Sequence, residues 1–290
     1  MPIKIVNLCH TYNEGTPHES VALSNVSLEI NDGEFVSVIG HTGSGKSTLA
    51  QHLNGILKPK SGEIYIGDML ITAKGAKLTD IRRKIGLLFQ YPEYQLFEET
   101  LYKDMSFGPQ NLGLSKDEID ERVRLAMSQV GLDFDELADR SPFDLSGGQK
   151  RKAAIAGVLA MQPQVLILDE PTAGLDPKSH KEILNMMLDL RRERSITLIL
   201  ITHNMSDVAE VSDKIFVMEN GRIALSGAPE AVFSQRDYLK KSGLGLPPVT
   251  EFVESLKERG ANIEGCPLTI EAAADLIDAY LLDKENMIYD

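Results

Sequence analysis

Short, nearly continuous apolar runs alternate along the chain with longer segments whose apolar residues recur every three or four positions. Four runs have the length and composition of buried strands: GEFVSVIG (33–40), the end of IRRKIGLLFQ (81–90), VLILDE (165–170) and SITLILITH (195–203). Three intervening segments place their apolar residues along one side of a helix: 47–57, 115–131 and 177–194. Because strands that alternate with helices form a largely parallel sheet, the pattern predicts an α/β fold.

The two ends of the chain depart from this alternation. Residues 4–30 have the pattern of two strands around a polar turn, NEGTPHE, and FVMENGRIALSG (216–227) predicts a hairpin. Around SGLGLPP (242–248) the composition changes to glycine and proline, which predicts a linker. Beyond it, VTEFVESLKERG and IEAAADLIDAYLL have the spacing of amphipathic helices. We therefore expect a main domain over 1–230 and a small helical extension over 231–290.

Composition excludes several classes of protein. The 290 residues include 30 basic and 43 acidic side chains, and the formal charge of -13 disfavours nucleic acid as a partner. No segment approaches the ~18 consecutive apolar residues that a membrane span needs. The N-terminal residues lack the apolar block of a secretory signal, and the chain has only two cysteines. We therefore expect a protein of the reducing cytosol.

The segment GHTGSGKST (40–48) matches the pattern GxxxxGK[S/T] and lies between a predicted strand and a predicted helix, so an incidental glycine-rich turn is disfavoured. Its glycines allow backbone N–H groups to point at phosphate oxygens, with help from the positive end of the helix dipole. Lys46 is placed to neutralise the β and γ phosphates, and Ser47 to offer its hydroxyl to Mg²⁺. We predict that nine residues of this phosphate loop bind ATP: Gly40, His41, Thr42, Gly43, Ser44, Gly45, Lys46, Ser47 and Thr48.

Polar residues end the other predicted core strands. Asp169 and Glu170 end one run, Gln90 ends the run before it, and His203 ends the run after it. Each alone is typical of a solvated turn or strand end, but the carboxyl ends of parallel strands share one edge of a sheet. There, Asp169 would hold Mg²⁺ and Glu170 would act as the general base for the attacking water. Gln90 would sense Mg²⁺ and the water, while His203 would contact the γ phosphate and hold Glu170.

The segment LSGGQK (145–150) contains a second glycine pair, at the start of a helix predicted to begin near Gly148. The first turn carries Lys150, Arg151 and Lys152, where the helix dipole favours acidic side chains. This broken rule indicates an expected anion, and a glycine loop with a solvated basic face is the alternative. Because the phosphate loop already wraps its nucleotide from one side, we predict binding to the ATP of another copy, in trans, through four residues: Ser146, Gly147, Gly148 and Gln149.

Six features in this order resemble the nucleotide-binding subunit of an ATP-binding cassette transporter over residues 1–230: GHTGSGKS, Gln90, LSGGQ, VLILDE, AGLD (173–176) and His203. The resemblance implies a phosphate-loop NTPase with a mostly parallel core sheet, an N-terminal antiparallel β subdomain, a helical subdomain at about 92–155 and a C-terminal helical extension. It also implies that Asp176 connects the two sites of a dimer and that adenine stacks on Tyr12. A turn aspartate and a packing tyrosine are the alternatives.

The stretch FQYPEYQLFEETLYKDMSFGPQNLG (89–113) resembles a subtype, the ATPase subunits of energy-coupling factor importers for vitamins and transition-metal ions. These work with an integral membrane coupling subunit and a substrate-binding membrane subunit. The resemblance implies a short helix at 92–97 that docks the membrane partner, so the chain would be peripheral at the cytoplasmic face of the membrane. Arginines of the partner would contact a group of acidic residues, for which a solvated acidic face is the alternative: Glu93, Glu98, Glu99 and Asp104.

The expected function is ATP hydrolysis that drives import, by two cassettes that pair as a homodimer or as a heterodimer with a related ATPase. Another importer type, a soluble cassette ATPase acting on ribosomes or DNA, and a regulatory module without turnover are the alternatives. The acidic composition and the lack of a long coiled-coil insertion argue against the second of these. The intact motifs around the predicted nucleotide argue against the third.

Overall fold

The computed structural model describes residues 1–289, with the side chains of residues 1–282. Within that range the strands are β1 (Ile3–Tyr12), β2 (Ser20–Ile30), β3 (Phe35–Ile39), β4 (Ser61–Ile66), β5 (Met69–Leu70), β6 (Ile85–Leu88), β7 (Val165–Asp169), β8 (Thr197–Ile201), β9 (Lys214–Glu219) and β10 (Arg222–Gly227). The helices are α1 (Lys46–Leu53), α2 (Leu78–Lys84), α3 (Leu101–Asn111), α4 (Lys116–Gln129), α5 (Phe134–Leu137), α6 (Gly147–Leu159), α7 (Pro177–Arg194), α8 (Met205–Val211), α9 (Pro229–Phe233), α10 (Arg236–Lys241), α11 (Pro248–Glu258) and α12 (Ile270–Tyr289). Short 3-10 turns occupy Pro92–Gln95 and Pro142–Asp144.

The strands form two sheets. The central sheet has the order β10-β9-β3-β8-β7-β6, and the other, β2-β1-β4-β5, is antiparallel. In the central sheet only β10 runs antiparallel to its neighbour. The carboxyl ends of β3, β6, β7 and β8 therefore share one edge. The predictions of a mostly parallel core sheet and an N-terminal antiparallel one are confirmed.

Burial on both faces explains the continuous apolar runs. Every residue of β3, β7 and β8 is buried. In β8, Ile199 and Ile201 pack toward the antiparallel sheet and α1, whereas Leu198 and Leu200 pack toward α3, α4, α6 and α7. A strand between two apolar layers can place a hydrophobic side chain at every position. No helix among the described residues is long and apolar enough to cross a membrane.

Helices α3 to α6 form a helical region beside the sheet. Met105, Val123 and Ile155 are each fully buried in its core, together with residues of α7. Helix α4 begins as predicted: the Ser115 hydroxyl accepts from the Glu118 N–H, and the Glu118 carboxylate accepts from the Ser115 N–H. This capping box satisfies two N–H groups that a helix start otherwise leaves unpaired. The region carries the glycine-pair loop (145–149) at the start of α6.

The segment predicted as a linker is anchored to the central sheet. Leu244 and Leu246 are buried in one cluster with Ile215 and Val217 of β9. The glycine and proline residues of 242–248 therefore lie in a turn whose leucines pack against the central sheet. Helices α11 and α12, both predicted from spacing, share a small separate cluster that includes Val253. The division into two domains at 230 and 231 stays a prediction.

Candidate functional site

The phosphate loop connects β3 to α1 at the shared strand edge, and its glycines are required by close contacts. A Cβ atom on Gly40 would lie 2.3 Å from the Met218 carbonyl oxygen. At Gly45, where φ is 105°, a Cβ would lie 2.5 Å from the Ala22 carbonyl oxygen. Both distances are shorter than real Cβ contacts, so these positions demand glycine. Ser44 Oγ is buried there and has no hydrogen-bond partner among the described residues, which leaves a polar atom for a ligand.

Lys46 is folded over this loop. Its ammonium donates to the carbonyl oxygens of Gly40 at 2.8 Å and His41 at 3.0 Å. Burial lowers the pKa of Lys46 from its usual value, and the nearby charges of Glu170 and Asp169 oppose that shift. Phosphate oxygens in place of these carbonyls would stabilise the ammonium further, because charged acceptors form stronger hydrogen bonds with it.

Ser47 and Asp169 meet at the end of β7. The Ser47 hydroxyl donates to Asp169 Oδ2 at 2.7 Å. Burial raises the pKa of Asp169, the Ser47 hydrogen bond opposes that rise, and the adjacent charge of Glu170 adds to it. A hydroxyl and a carboxylate are hard oxygen donors of the kind that Mg²⁺ prefers. The two residues predicted to share a metal are thus in direct contact.

Glu170 lies in the left-handed backbone region, with φ of 52°. Its N–H donates to the Ile201 carbonyl oxygen at 2.8 Å, so the strained peptide is tied to β8. His203 Nδ1 donates to Glu170 Oε1 at 2.7 Å, and the Thr202 hydroxyl donates to Oε2 at 3.3 Å. Both carboxylate oxygens therefore have partners on the loop after β8. Sequence reasoning found His203 and missed Thr202, although Thr202 directly precedes it.

Gln90 and Tyr12 border the same edge. Gln90 is exposed two residues beyond β6, whose Leu88 pairs with Leu168 of β7. The Tyr12 hydroxyl lies 3.2 Å from Thr48 Oγ1, and its ring, 37% exposed, stands against the edge of His10. An amphipathic ring fixed beside a phosphate loop has the features that a stacked base requires. The roles of these two residues stay predictions.

The glycine-pair loop presents an open face. Ser146 caps α6 by accepting from the Gln149 N–H at 3.3 Å, and the Gln149 side chain accepts from the Ser146 N–H at 3.1 Å. Ser146 and Gly147 are exposed, and a Cβ added to Gly147 would meet no atom within 4 Å. Among residues 1–282, no hydrogen bond or ion pair joins this loop to the phosphate loop. Its contact with the nucleotide of another subunit stays a prediction.

Two of the three basic side chains in the first turn of α6 do not have the role expected from the sequence. Arg151 is buried and pairs with Glu93, and Lys152 donates to Glu182 at 2.7 Å. These two cations are neutralised inside the chain, so they do not indicate a waiting anion. The misreading arose because neither glutamate is near in sequence. Ser146 and Gly147 are exposed, whereas Gly148 is half-buried against Ser179.

Asp176 begins α7, and its carboxylate accepts from the N–H groups of Lys178 and Ser179. One turn later, His180 Nε2 lies 2.8 Å from Oδ1 of Asp207, a residue of α8. Burial raises the pKa of the Asp207 carboxyl. The start of α7 is thereby tied to the helix that follows His203. The role of Asp176 between two subunits stays a prediction.

The acidic residues predicted to contact a partner have different surroundings. Glu93 faces Arg151, whereas Glu99 is exposed and pairs with Lys103. Asp104 accepts from the backbone N–H groups of Phe97 and Glu98 at 2.9 and 3.1 Å, so it fixes the chain between the 3-10 turn and α3.

The pKa of Lys46 gives a pH prediction. Phosphates favour the ammonium and raise its pKa in the complex above the lowered value of the free chain. Binding then takes up a proton, so ATP affinity should fall as pH rises through the free-chain pKa. Calorimetry between pH 7 and about 10 tests this. AMP, which lacks the β and γ phosphates, is the control: a flat ATP profile, or an equal loss for AMP, would contradict it.

The chain is similar to known proteins along most of its length. A family model described as ABC transporter matches residues 23–173. A protein of Clostridium acetobutylicum named energy-coupling factor transporter ATP-binding protein EcfA2 is 59% identical over 94% of this chain and 96% of its own length. A protein of the same name from Caldanaerobacter subterraneus subsp. tengcongensis is 55% identical over 99% of this chain and 100% of its own length.

Solved structures are similar as well. The structure of cbiO1 from Clostridium perfringens, described as part of the ABC transporter complex cbiONQ, superposes with a TM-score of 0.73 at 41% identity, over 87% of this chain and 98% of that chain. The ATP-binding cassette MJ0796, solved as a dimer bound to ADP and phosphate, superposes with a TM-score of 0.70 at 31% identity, over 78% of this chain and 98% of that chain.

Proposed function

The chain belongs to the ATP-binding cassette transporter family, and on that premise we propose that it is the ATP-hydrolysing subunit of an energy-coupling factor importer, which drives uptake of vitamins or transition-metal ions. The observation that carries the proposal is the meeting of Lys46, Asp169 and Glu170 at one sheet edge. Near-full-length relatives with that name favour it over another importer type and over an ATPase of ribosomes or DNA.

Glu170 acts as the general base. Its carboxylate takes the proton from the water that attacks the γ phosphate, and the bonds from His203 and Thr202 keep the carboxylate in one orientation. Gln90 orients the same water. The exposed His203 ring contacts the γ phosphate, and Lys46 neutralises the negative charge that develops on the phosphate oxygens.

Ser47 and Asp169 would hold Mg²⁺ together with oxygens of the nucleotide, and Gln90 would complete the set. Bound there, the ion neutralises charge on the phosphates. Across residues 1–282, no three His, Cys, Asp or Glu side chains form a metal site. The contact between Ser47 and Asp169 supplies two oxygen donors, so nucleotide oxygens have to supply others.

Each ATP is bound between two cassettes, either two copies of this chain or this chain and a related one. Tyr12 and the phosphate loop hold the nucleotide from one subunit, and Ser146, Gly147, Gly148 and Gln149 of the other complete the site. The exposure of Ser146 and Gly147 at the start of α6 supports this arrangement. Asp176 connects the two sites across the dimer.

An exposed aromatic patch is the proposed contact with the integral membrane coupling subunit, at the cytoplasmic face of the membrane. It consists of Tyr91, Tyr94, Phe97 and Phe107, of which Tyr94 is 85% exposed. Pro92 and Leu96 are buried and fix the 3-10 turn, so the aromatic side chains between and beside them stay in solvent. Exposed aromatic groups beside Glu98 and Glu99 suit a partner that offers both apolar surface and arginines. A separate membrane subunit binds the transported substrate.

The experiment that tests this function is recovery of the chain from native membranes. The wild-type chain should co-purify with a small integral membrane protein and hydrolyse ATP. Replacement of Tyr94 and Phe97 together by serine should reduce that recovery at least about tenfold, because the anchors that clusters of aromatic side chains provide are lost.

ATP affinity should stay unchanged in that double variant. Phe143→Ser is the matched control, since Phe143 is 62% exposed in the same helical region outside the patch. Full recovery of the membrane protein by the double variant would exclude the patch as the docking surface.

A further inference from the structure

Arg151 is a charged side chain with only 3% of its surface exposed. Burying a guanidinium is costly unless every N–H finds an acceptor. Arg151 Nη1 donates to the carbonyl oxygens of Glu170 at 3.2 Å and Pro171 at 2.9 Å, and Nη2 donates to that of Ala173 at 3.1 Å. One side chain from the start of α6 thus holds the backbone that follows β7.

One of these contacts concerns the general base. Glu170 has a left-handed backbone, whose cost the surrounding structure has to offset. Its N–H is held by Ile201 and its carbonyl oxygen by Arg151. The peptide that carries the base is therefore fixed on both sides, and loss of Arg151 would release one of them. A shift of the base by about 1 Å is enough to cost a large factor in rate.

The same guanidinium contacts the proposed docking surface. Arg151 Nη2 donates to Glu93 Oε1 at 3.3 Å, on the 3-10 turn that exposes Tyr94. Arg151 Nε lies 3.1 Å from Glu93 Oε2, but the two are not aligned as a hydrogen bond, and both are buried with no hydrogen-bond partner among residues 1–282. A small rotation of the turn that aligns them would complete a two-bond pair.

We propose that Arg151 is a positioning residue that couples movement of the Pro92–Gln95 turn to the backbone of Glu170. The guanidinium is planar and rigid, so displacement of its Glu93 side displaces the plane that holds the carbonyl oxygens. Engagement of the membrane partner thereby reaches the base within one subunit. The inference rests on the proposed function, which supplies the roles of Glu170 and of the turn.

Arg151→Lys tests the positioning role, because a lysine keeps the charge but cannot bond three carbonyl oxygens and a carboxylate at once. We expect kcat to fall about tenfold while ATP affinity stays within about twofold of wild type. Glu93→Gln keeps the bonds to the carbonyl oxygens and tests the coupling. In the complete membrane complex, that variant should transport at least about threefold less substrate per ATP hydrolysed.

Glu136→Gln is the matched control. Glu136 pairs with Arg140 on the surface of the same helical region, and we expect wild-type behaviour. The inference is overturned if Arg151→Lys keeps kcat within about twofold of wild type. It is also overturned if kcat, ATP affinity and melting temperature fall together, as a purely structural arginine would give, or if Glu93→Gln transports normally per ATP. Absence of ATP turnover in the wild-type chain would instead overturn the proposed function.

Discussion

Glu170→Gln binds ATP with wild-type affinity, loses at least about 100-fold in turnover and accumulates as an ATP-bound dimer. The amide keeps the size of the side chain and can still contact Thr202 and His203. It cannot take a proton from water, so ATP remains uncleaved between the two subunits. Size exclusion in the presence of ATP, beside a turnover assay, measures both effects.

Thr202→Val is the control, since it removes the longer of the two bonds to Glu170, together with a bond from the Asn204 N–H, and keeps the base. We expect a much smaller loss of turnover and no accumulated dimer. Wild-type turnover in Glu170→Gln would show that another group is the base. A variant that loses turnover and stays monomeric with ATP would contradict the link between hydrolysis and dissociation.

Gly147→Asp abolishes turnover without destabilising the isolated chain. Gly147 is exposed at the first position of α6, and an added Cβ meets no atom within 4 Å. An aspartate there interacts favourably with the helix dipole, so the melting temperature should stay level or rise. In the proposed dimer the same carboxylate would face the γ phosphate held by the opposite subunit and repel it, which should cost at least about 100-fold in turnover.

Gly147→Ala separates charge from bulk, because it adds only a methyl group. It should keep most of the turnover that the aspartate variant loses. Calorimetric melting of the isolated chain and ATP hydrolysis measure the two properties independently. If Gly147→Asp lowered stability and activity together, the loss would come from the fold of the subunit and not from a contact between subunits.

The sequence predicts most of the nucleotide site because the fold places it at strand ends. β3, β7 and β8 are buried on both faces, so their apolar runs are recognisable, and parallel pairing then brings the residues after them to one edge. Asp169, Glu170 and His203 follow from that step, and Lys46 follows from the glycine-rich motif between β3 and α1.

Arg151 shows where prediction from sequence ends. Its place in a basic, glycine-rich turn is typical of a solvated cation, yet Glu93 and three carbonyl oxygens surround it. Those partners come from the segment after β6 and the segment after β7, and only the packing of α6 on the sheet brings them together. The buried leucines of 242–248 give the same lesson, since glycine and proline mark a turn but do not say what lies beneath it.

Mixing two inactive variants tests most directly whether each ATP is bound between subunits. In a mixed dimer of Lys46→Ala and Gly147→Asp, the Gly147→Asp subunit supplies an intact phosphate loop and the Lys46→Ala subunit supplies an intact glycine-pair loop. These two loops together form one complete site. Turnover should return, to about one quarter of wild type for random pairing and independent sites. A mixture of Lys46→Ala and Glu170→Gln leaves no intact site and should stay inactive. Mixed dimers of the first pair that form but do not hydrolyse ATP, or recovery in both mixtures, would contradict the account.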